Sequence, residues 1–582
     1  MRAQFRFRIR LILGAVLCIA MLVLLRLYFV QIVYGQDYAL KADHQFTSGS
    51  SGLFDRGSIY FTRKDGTPIS AATLATGFLV AINPQTLQDP AAAYTAIAQV
   101  ASTTVLSHDA FMAAAAKTQQ VYIEVAHHLS DAAGKALAAE NIQGVEVLRE
   151  RWRYYPGGEL AAHAIGVVGY GSGDTLAGQT GLEAQYDETL ARSGDGLYKN
   201  FFAQIFSNVG NLLVNAKSAR EGDVITTIEP EVETRLEEDL AKVNEQYSSA
   251  GSGGIIMIPS TGAVIALGSY PTYDPNDLAN ANPSLLTNPL VEHVFEFGSI
   301  MKPVTMASGL TAGVIQPDST YTDTGCIHVD AARICNWNYK AYGTIPMLDI
   351  IKYSLNVGAS YVATQLGQDN FRKYFTELFG NKTGVDLPSE TDALIGNLSK
   401  PQQVYYDTAS FGEGIAVTPM QMVRALGAIA NGGKTVTPHL VSAIQLDNGV
   451  TRTLDWGPGM QVFTPAAARA TTVMMDALWD EELDHGQAKI PTMSVAAKTG
   501  TAQLPTPTGT YYTDRFFHSE VAFFPSFNPR FIILLYTDDP KNVTYAAETL
   551  TPELVDLVHF LIDYYDVPPD RGIATSTQNL PQ

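Results

Sequence analysis

The most apolar stretch of the chain lies near its N-terminus. Residues 11–25 carry no charged side chain, and after the isolated Arg26 the apolar run continues to Val33. That length matches one helical crossing of a lipid bilayer. Positions 1–10 hold four arginines and no acidic residue, so the positive-inside rule places them in the cytoplasm and the chain after Val33 outside. A cleaved signal peptide is the alternative, but bulky residues continue past Arg26 without a small-residue cleavage site, which favours a retained anchor at 11–33.

The region after the anchor mixes two kinds of hydrophobic pattern. From about Leu53 to Lys217, short strand-like runs such as FLVAI alternate with alanine-rich helical runs such as AAAYTAIAQVA. This alternation predicts an extended α+β module. The segment GYGSG at Gly169–Gly173 lacks the spacing of a nucleotide-binding loop and is predicted to be a turn.

A second α+β region begins at Glu229. The run EPEVETRLEEDLAKVNEQY has a proline and acidic residues at its start, which predicts a helix, and GGIIMIPSTGAVIALGS after it predicts an antiparallel hairpin. Further strands are predicted in SVAAKTGTAQ, EVAFFPSF and RFIILLYTDD, and a closing helix at Pro552–Tyr564. The expected fold is an antiparallel sheet flanked by helices, followed by a disordered tail at 568–582.

Composition and charge restrict the possible functions. The chain has 582 residues, of which 46% are hydrophobic and 16% charged, as in folded proteins of more than one domain. Its formal charge of −20 repels phosphate backbones and argues against a nucleic-acid partner. Cys18 lies in the anchor, whereas Cys326 and Cys335 lie in the part expected outside the cytoplasm. A disulfide and two unpaired thiols are both open for that pair.

The strongest chemical signal is a serine and a lysine in FEFGSIMKPVTMASGL. Ser299 and Lys302 stand three residues apart on a helix predicted to start after Gly298, so both side chains share one face. A serine hydroxyl becomes a good nucleophile when a neighbour takes its proton, and a lysine does this when burial and nearby positive charge lower its pKa. Lys302 is the only lysine of the chain with a serine three residues before it.

Two supporting motifs each occur twice. Ser-x-Asn is found at Ser354–Asn356 and again at Ser526–Asn528, where a following proline predicts plain turn residues. Lys-Thr-Gly is found at Lys498–Gly500, inside a strand pattern, and at Lys382–Gly384, inside a loop that we interpret as structural. A sheet edge at Lys498–Gly500 offers backbone N–H groups to a developing oxyanion.

Ser-x-x-Lys, Ser-x-Asn and Lys-Thr-Gly together are the signature of penicillin-recognising serine enzymes. With them, the chain resembles a class B penicillin-binding protein of the FtsI type, a membrane-anchored peptidoglycan D,D-transpeptidase. The likeness extends to further segments in the same order: RGSIY from Arg56, RYYPGGELAAHAIGVVG from Arg153, GQTGLEAQYDETL from Gly178, IIMIPSTGAVIALGSYPTYDPN from Ile255, SFGEGIAVTPMQ from Ser410 and ANGG from Ala430.

The resemblance implies a domain order and a location. The expected α+β chain has a single N-terminal transmembrane helix, an extended pedestal and a C-terminal transpeptidase domain in the bacterial inner membrane, with the catalytic domain outside the cytoplasm. The expected bounds are 1–10 for the cytoplasmic tail, 11–33 for the anchor, 34–220 for the juxtamembrane and dimerisation-type pedestal domain, 221–567 for the transpeptidase domain and 568–582 for the tail.

The resemblance also implies roles for the residues of the first two motifs. Ser299 is expected to attack the penultimate D-alanine of a stem peptide and release the terminal D-alanine, with Lys302 as general base. Ser354 is expected to pass the proton to the departing amine, and Asn356 to hold the peptide backbone.

The Lys-Thr-Gly strand is expected to bind the rest of the donor peptide. Lys498 supplies positive potential, and Thr499, Gly500 and Thr501 form the site for the terminal carboxylate. The resemblance implies that the backbone N–H groups of Ser299 and Thr501 form the oxyanion hole. An amine from a neighbouring peptidoglycan strand then takes the acyl group. This acyl transfer requires no metal or organic cofactor.

Expected partners are D-Ala-D-Ala stem peptides, β-lactams as inhibitors, the bilayer, a membrane glycosyltransferase and other division or elongation proteins.

Several alternatives stay open on the sequence. A β-lactamase or soluble D,D-carboxypeptidase lacks a pedestal of this length, and a bifunctional class A synthase needs a glycosyltransferase domain there. A catalytically silent scaffold is the alternative from another class. The pedestal length and the threonine in Lys-Thr-Gly favour septal division over side-wall elongation.

Overall fold

The computed structural model describes Met21 and residues 55–101, 105–170, 176–192 and 220–572. The predicted anchor at 11–33 lies outside the described residues apart from Met21, as do part of the predicted turn at Gly169–Gly173 and most of the predicted tail. In the described part of the chain, no helix combines the length and the apolar character needed to span a membrane. The chain divides into two compact units, one built around Ala75–Trp152 and a larger one holding Arg56–Leu74, Arg153–Arg192 and the residues from 220 onward.

The smaller unit is an α+β layer, as the sequence predicts. Strand β2 (Pro68–Ile82) ends in the predicted FLVAI run, which pairs with β3 (Ile123–Leu129), and β4 (Val145–Tyr154) also pairs with β2. The AAAYTAIAQVA run lies in helix α1 (Pro90–Ala101), which is joined by α2 (His108–Ala115) and α3 (Asp131–Ala139). Serine hydroxyls cap both later helices by accepting hydrogen bonds from the first turn. Phe78, Val80, Ile97 and Phe111 are buried in one core between sheet and helices.

The larger unit begins with a second group of strands. Strand β1 (Ile59–Thr62) pairs with the first part of β2, and its other edge pairs with β7 (Gly222–Thr226). The same sheet continues through β14 (Val441–Leu446) to β15 (Thr451–Thr453). A shorter antiparallel pair is formed by β5 (Val168–Tyr170) and β6 (Leu176–Gly178), and the short helices here are α4 (Ala162–Ile165), α5 (Gly181–Gln185) and α6 (Asp187–Leu190).

A buried ion cluster ties three sequence segments of this unit together. Glu183 is fully buried and accepts hydrogen bonds from Arg56 at 2.6 Å and from Arg153 at 2.5 Å. Arg56 also donates to Asp187 at 2.7 Å. Arg56 belongs to the segment RGSIY and Arg153 to RYYPGGEL. Glu183 and Asp187 both belong to GQTGLEAQYDETL. The cluster explains why a buried acid is tolerated here, because its charge is paired and hydrogen-bonded.

A five-stranded antiparallel sheet forms the centre of the larger unit. Its strand order is β16 (Ala496–Pro505), β17 (Tyr511–Phe524), β18 (Phe531–Asp538), β8 (Gly251–Met257) and β9 (Val264–Tyr270). The hairpin and the later strands predicted from the sequence are therefore confirmed. The predicted helix after Glu229 is α7 (Pro230–Tyr247), and the Glu229 carboxylate caps it by accepting from the Val232 N–H.

Helices cover both faces of this sheet. On one face, α7 and α16 (Thr551–Tyr564), the predicted closing helix, bury leucines and valines against strands β8, β9 and β18. On the other face, α9 (Lys302–Thr311) packs within the larger core. The other helices are α8 (Pro289–Glu292), α10 (Leu348–Lys352), α11 (Asn356–Phe379), α12 (Gln403–Ala409), α13 (Pro419–Ala430), α14 (Pro465–Glu481) and α15 (Ala546–Thr549).

Two small hairpin-like pairs complete the unit. Strand β10 (Thr320–Asp323) pairs with β13 (Gly343–Pro346), and β11 (Cys326–Val329) pairs with β12 (Ala332–Cys335). Cys326 and Cys335 are directly opposite in the second pair and form a disulfide, which decides between the two thiol states that the sequence left open.

Candidate active site

Ser299 and Lys302 meet at the start of helix α9. A 3₁₀ turn at Gly298–Met301 leads into the helix, so the three-residue spacing places the two side chains together. Lys302 Nζ lies 2.8 Å from Ser299 Oγ. Gly298 has a φ of 61°, and a Cβ there would lie 2.8 Å from the Thr501 carbonyl oxygen. Glycine therefore lets the turn approach strand β16 closely.

Lys302 is a buried lysine with an unusual set of neighbours. Its exposed fraction is 1%, and Nζ lies 2.8 Å from the Ser354 carbonyl oxygen, 3.2 Å from Ser354 Oγ and 2.8 Å from Asn356 Oδ1. Burial lowers the pKa of Lys302 well below its usual value, the charge of Lys498 lowers it further, and Glu413 opposes the change. A neutral amine has a lone pair and can accept the proton of Ser299.

Ser354 and Asn356 occupy the short connection between α10 and α11. Ser354 takes a left-handed conformation with a φ of 55°, which a non-glycine residue adopts at some cost in free energy. Asn356 begins α11, and its Nδ2 donates a hydrogen bond of 3.0 Å to the carbonyl of Cys335. The disulfide-closed pair of β11 and β12 therefore orients the amide that contacts the lysine.

The predicted Lys-Thr-Gly segment lies on β16, one of the two edge strands of the central sheet. Gly500 faces the 3₁₀ turn, and a Cβ there would lie 2.5 Å from the Phe297 carbonyl oxygen. Lys498 is fully buried, and its Nζ donates to the Thr499 carbonyl at 2.8 Å. Burial lowers the pKa of Lys498 to about 7, and Glu520 opposes the change. The Thr501 hydroxyl accepts a hydrogen bond of 3.1 Å from the Ala546 N–H.

The structure thus brings the candidate residues together to different degrees. Ser299, Lys302, Ser354 and Asn356 form one hydrogen-bonded group. The charge of Lys498 acts on Lys302, although Nζ of Lys498 hydrogen-bonds to its own strand. Within the described chain, the hydroxyl of Thr499 makes no hydrogen bond, which leaves it available to a ligand. Substrate contacts of Thr499, Gly500 and Thr501 stay predictions.

The second copies of the two supporting motifs serve the fold. Thr383 is buried in a loop, and both its N–H and its hydroxyl donate to Glu390, at 2.7 and 2.6 Å. Ser526 lies in the turn between β17 and β18 and donates to Asp476 at 2.6 Å. Both copies therefore have the structural role that we predicted from their sequence context.

The segment SFGEG supplies neighbours that the motif analysis did not assign to the site. The Phe411 ring lies 6.0 Å below Lys302 Nζ, and the Gly412 carbonyl accepts a hydrogen bond of 3.2 Å from Gly298 N–H. Burial raises the pKa of Glu413 to about 7, and the Lys302 charge opposes that rise. The likeness of this segment to the family was a signal in the sequence, but nothing in the segment indicated contact with the lysine.

The family comparison agrees with this geometry. The model of the penicillin binding protein transpeptidase domain matches residues 253–556, which is more than half of the chain and includes all three motifs. The chain belongs to this family. The model of the penicillin-binding protein dimerisation domain matches residues 55–200 as well, and the two matches together identify a class B penicillin-binding protein. The protein is therefore a serine-type peptidoglycan D,D-transpeptidase, as the resemblance implied.

Curated relatives of this penicillin-binding protein cover most of its length. The stage V sporulation protein D of Bacillus subtilis is 26% identical over 91% of this chain and 81% of its own. The peptidoglycan D,D-transpeptidase MrdA of Acinetobacter baumannii is 25% identical over 94% and 87%, and FtsI of Escherichia coli K12 is 24% identical over 75% and 71%. MrdA and FtsI are both named as peptidoglycan D,D-transpeptidases.

A solved structure shows the same fold. Penicillin-binding protein 3 from Mycobacterium tuberculosis, complexed with aztreonam, superposes with a TM-score of 0.66 at 20% identity, over 89% of this chain and 97% of that one. The two-domain architecture with mixed α+β content is thus shared, and β-lactam binding is a property of the family.

Proposed function

We propose that Ser299 is the nucleophile of the transpeptidase reaction and Lys302 its general base. The observation that carries this assignment is the 2.8 Å contact between Ser299 Oγ and Nζ of a lysine with an exposed fraction of 1%. Ser299 Oγ forms a bond to the carbonyl carbon of the penultimate D-alanine, and its proton passes to Lys302. The C–N bond to the terminal D-alanine then breaks, and the departing amine takes up a proton.

Ser354 and Asn356 support this proton transfer. Ser354 Oγ lies 3.2 Å from Lys302 Nζ, which suits a hydroxyl that relays the proton from lysine to the departing amine. In the second half-reaction, an acceptor amine attacks the ester carbonyl, its proton returns through Lys302, and the C–O bond to Ser299 breaks. Asn356 is proposed to hold the donor backbone, which its fixed amide orientation supports.

The strand edge of β16 is proposed to bind the donor carboxylate and the oxyanion. The Thr501 hydroxyl accepts from Ala546 N–H, so its own hydrogen is free to donate to a carboxylate oxygen. Thr499 and Gly500 complete this site, and Lys498 adds positive potential. The N–H groups of Ser299 and Thr501 are proposed as the oxyanion hole, because the glycine at 298 brings the turn and the strand into contact.

Intact-mass analysis after penicillin exposure tests the assignment. We expect the wild-type protein to gain the mass of one penicillin and Ser299→Ala to gain none. Ser526→Ala removes the serine of the second Ser-x-Asn motif and is the matched control, which we expect to label like wild type. Equal labelling of a folded Ser299→Ala variant would refute the assignment, and an unlabelled, folded wild-type chain would instead favour the silent scaffold.

We propose further that this enzyme acts in septal division. The pedestal length and the threonine of the Lys-Thr-Gly motif support that role over side-wall elongation, and the relatives include both FtsI and MrdA. The same proposal includes an anchor at 11–33 in the inner membrane, a pedestal domain at 34–220, a transpeptidase domain at 221–567, and a membrane glycosyltransferase and division proteins as partners. A fluorescent fusion in growing cells is expected at the septum, and a patchy lateral pattern would overturn the division role.

A further inference from the structure

A buried histidine lies beside Thr501, the residue proposed to bind the donor carboxylate. His518 on β17 is directly opposite Thr501 on β16, so the two side chains emerge on the same face of the sheet. The His518 side chain is fully buried. Burial lowers the pKa of His518 to about 4, and its hydrogen bond to the Thr544 carbonyl opposes that change. At neutral pH the ring is therefore uncharged and has one N–H donor and one acceptor nitrogen.

The two nitrogens of this ring hold the segment that follows β18. Nε2 lies 3.0 Å from the Thr544 carbonyl oxygen, which only accepts, so Nε2 carries the hydrogen. Nδ1 is then the acceptor, and it lies 2.9 Å from the Thr549 hydroxyl oxygen. That hydroxyl also lies 3.0 Å from the Ala546 carbonyl oxygen, but this oxygen already accepts from the Leu550 N–H at 2.9 Å. The hydroxyl hydrogen of Thr549 is therefore available to Nδ1.

The segment held in this way carries the N–H group that binds Thr501. Ala546 N–H donates to the Thr501 hydroxyl at 3.1 Å. Ala546 stands between the two histidine contacts, two residues after Thr544 and three before Thr549. Residues 540–545 belong to no helix or strand, so the hydrogen bonds of the sheet do not fix their position. The ring of His518 supplies side-chain contacts on both sides of the N–H group.

The bond from Ala546 decides where the Thr501 hydroxyl hydrogen points. A hydroxyl oxygen that accepts from an N–H group has its own hydrogen directed away from that donor. A hydroxyl that is already oriented loses less rotational freedom when it donates to a ligand. Hydrogen bonds to a carboxylate are among the stronger ones in proteins, so this orientation matters most for a charged ligand group.

We propose that His518 is a positioning residue, which fixes the segment 544–549 so that the Thr501 hydroxyl is directed at the donor carboxylate. His518 itself does not touch the substrate, because its ring is buried and both of its nitrogens are hydrogen-bonded. The inference rests on the proposed role of Thr501 in carboxylate binding. It implies that His518 affects substrates with a carboxylate much more than substrates without one.

Two thioester donors that differ only in this carboxylate test the role. They are N-benzoyl-D-alanyl thioglycolate, in which thioglycolate replaces the terminal D-alanine, and its methyl ester. Serine attack breaks the C–S bond, the thiolate takes up a proton, and the released thiol reports acylation. His518→Phe keeps the volume of a ring and removes both nitrogens. For this variant we expect about a tenfold loss of kcat/KM with the carboxylate donor, near the lower end for a hydrogen bond to a charged group, and under twofold with the ester.

Three further variants sharpen this test. His518→Gln keeps an amide donor for the Thr544 carbonyl and is expected to restore most of the preference for the carboxylate donor. In a Thr501→Val background, His518→Phe is expected to leave the ratio of the two donors unchanged, because the hydroxyl through which it acts is absent. His163→Phe is the matched control, since His163 is also buried, has a pKa lowered to about 4 and contacts Ser269 Oγ at 3.0 Å. We expect its donor ratio to equal that of wild type.

The outcomes separate this inference from the proposed function. Equal losses for both donors in His518→Phe, or an equally large change of the ratio in the Thr501→Val background, would overturn the positioning role. If His518→Phe does not fold, Thr549→Val removes the partner of Nδ1 and gives the same comparison, with a selective loss of the carboxylate donor expected. If Thr501→Val alone keeps the wild-type ratio, the proposed carboxylate site is wrong and this inference is wrong with it.

Discussion

Replacing Asn356 by aspartate puts a negative charge directly beside the proposed base. Asn356 Oδ1 lies 2.8 Å from Lys302 Nζ, and an aspartate oxygen at the same place faces the same nitrogen. A carboxylate favours the ammonium form of Lys302, whereas the wild-type surroundings lower its pKa through burial and the Lys498 charge. Asn356→Asp is therefore expected to raise the pKa of Lys302, which the wild-type surroundings lower, while changing the side-chain volume very little.

The size of the effect follows from the distance. Two unit charges separated by 2.8 Å interact by about 6 kcal/mol at an effective dielectric constant of about 20. Even if relaxation and solvent remove two-thirds of this energy, about 2 kcal/mol remains and lowers the ratio of neutral amine to ammonium at Lys302 about 30-fold. We expect penicillin acylation at neutral pH to slow by up to that factor.

The assay is the second-order rate constant of acylation by a fluorescent penicillin, measured across a range of pH. For Asn356→Asp we expect the rate to rise about tenfold for each pH unit while the ammonium form dominates. Asn356→Ala is the control, because it removes the amide contacts without adding charge. Its rate is expected to fall by an amount that does not depend on pH.

One result would refute this reasoning. If Asn356→Asp and Asn356→Ala give parallel pH profiles, the protonation state of Lys302 does not limit acylation. The lysine would then act only by orienting Ser299, and its role as general base would be wrong.

Three further predictions concern the surrounding scaffold. Glu183→Gln leaves Arg56 and Arg153 without their buried counter-charge, so we expect the free energy of unfolding, measured by denaturant titration, to fall by about 3–5 kcal/mol. An unchanged midpoint would contradict the ion cluster. Cys326→Ser opens a disulfide-closed loop with a sequence separation of 9, so we expect stability to fall by about 3 kcal/mol in thermal unfolding and penicillin labelling to slow. If reductant changes neither quantity in the wild-type protein, the disulfide is wrong. Thr383→Ala removes the side-chain donor to the buried Glu390 carboxylate, so we expect stability to fall by about 1–3 kcal/mol while the acylation rate stays unaltered. Slower acylation of the folded variant would show that this loop serves the active site.

The Ser-x-x-Lys pair was predictable because its geometry is local. Three residues of separation at a helix start fix the relative positions of Ser299 and Lys302, whatever the rest of the chain does. The central sheet was predictable for a similar reason, since alternating apolar runs and turn residues specify the hairpin and later strands. The strand pattern around Lys498–Gly500 also predicts that this Lys-Thr-Gly copy lies in the sheet, where the structure has it on β16.

The surroundings of the pair were not predictable in the same way. Cys335 reaches Asn356 across 21 residues, and Thr501 is bonded by Ala546 across 45 residues. Contacts of this separation depend on how sheet and helices pack, and no local periodicity encodes them. The ring of Phe411, which lies beside Lys302, belongs to the same class.

By itself, the sequence determined which serine and lysine lie together, which strands form the sheet and which family the chain resembles. Only the tertiary structure decided that Lys302 is buried among Ser354, Asn356 and the charge of Lys498. The physical reason is that backbone geometry over a few residues is set by local sequence, whereas burial and electrostatics are sums over groups that the fold brings in from distant parts of the chain.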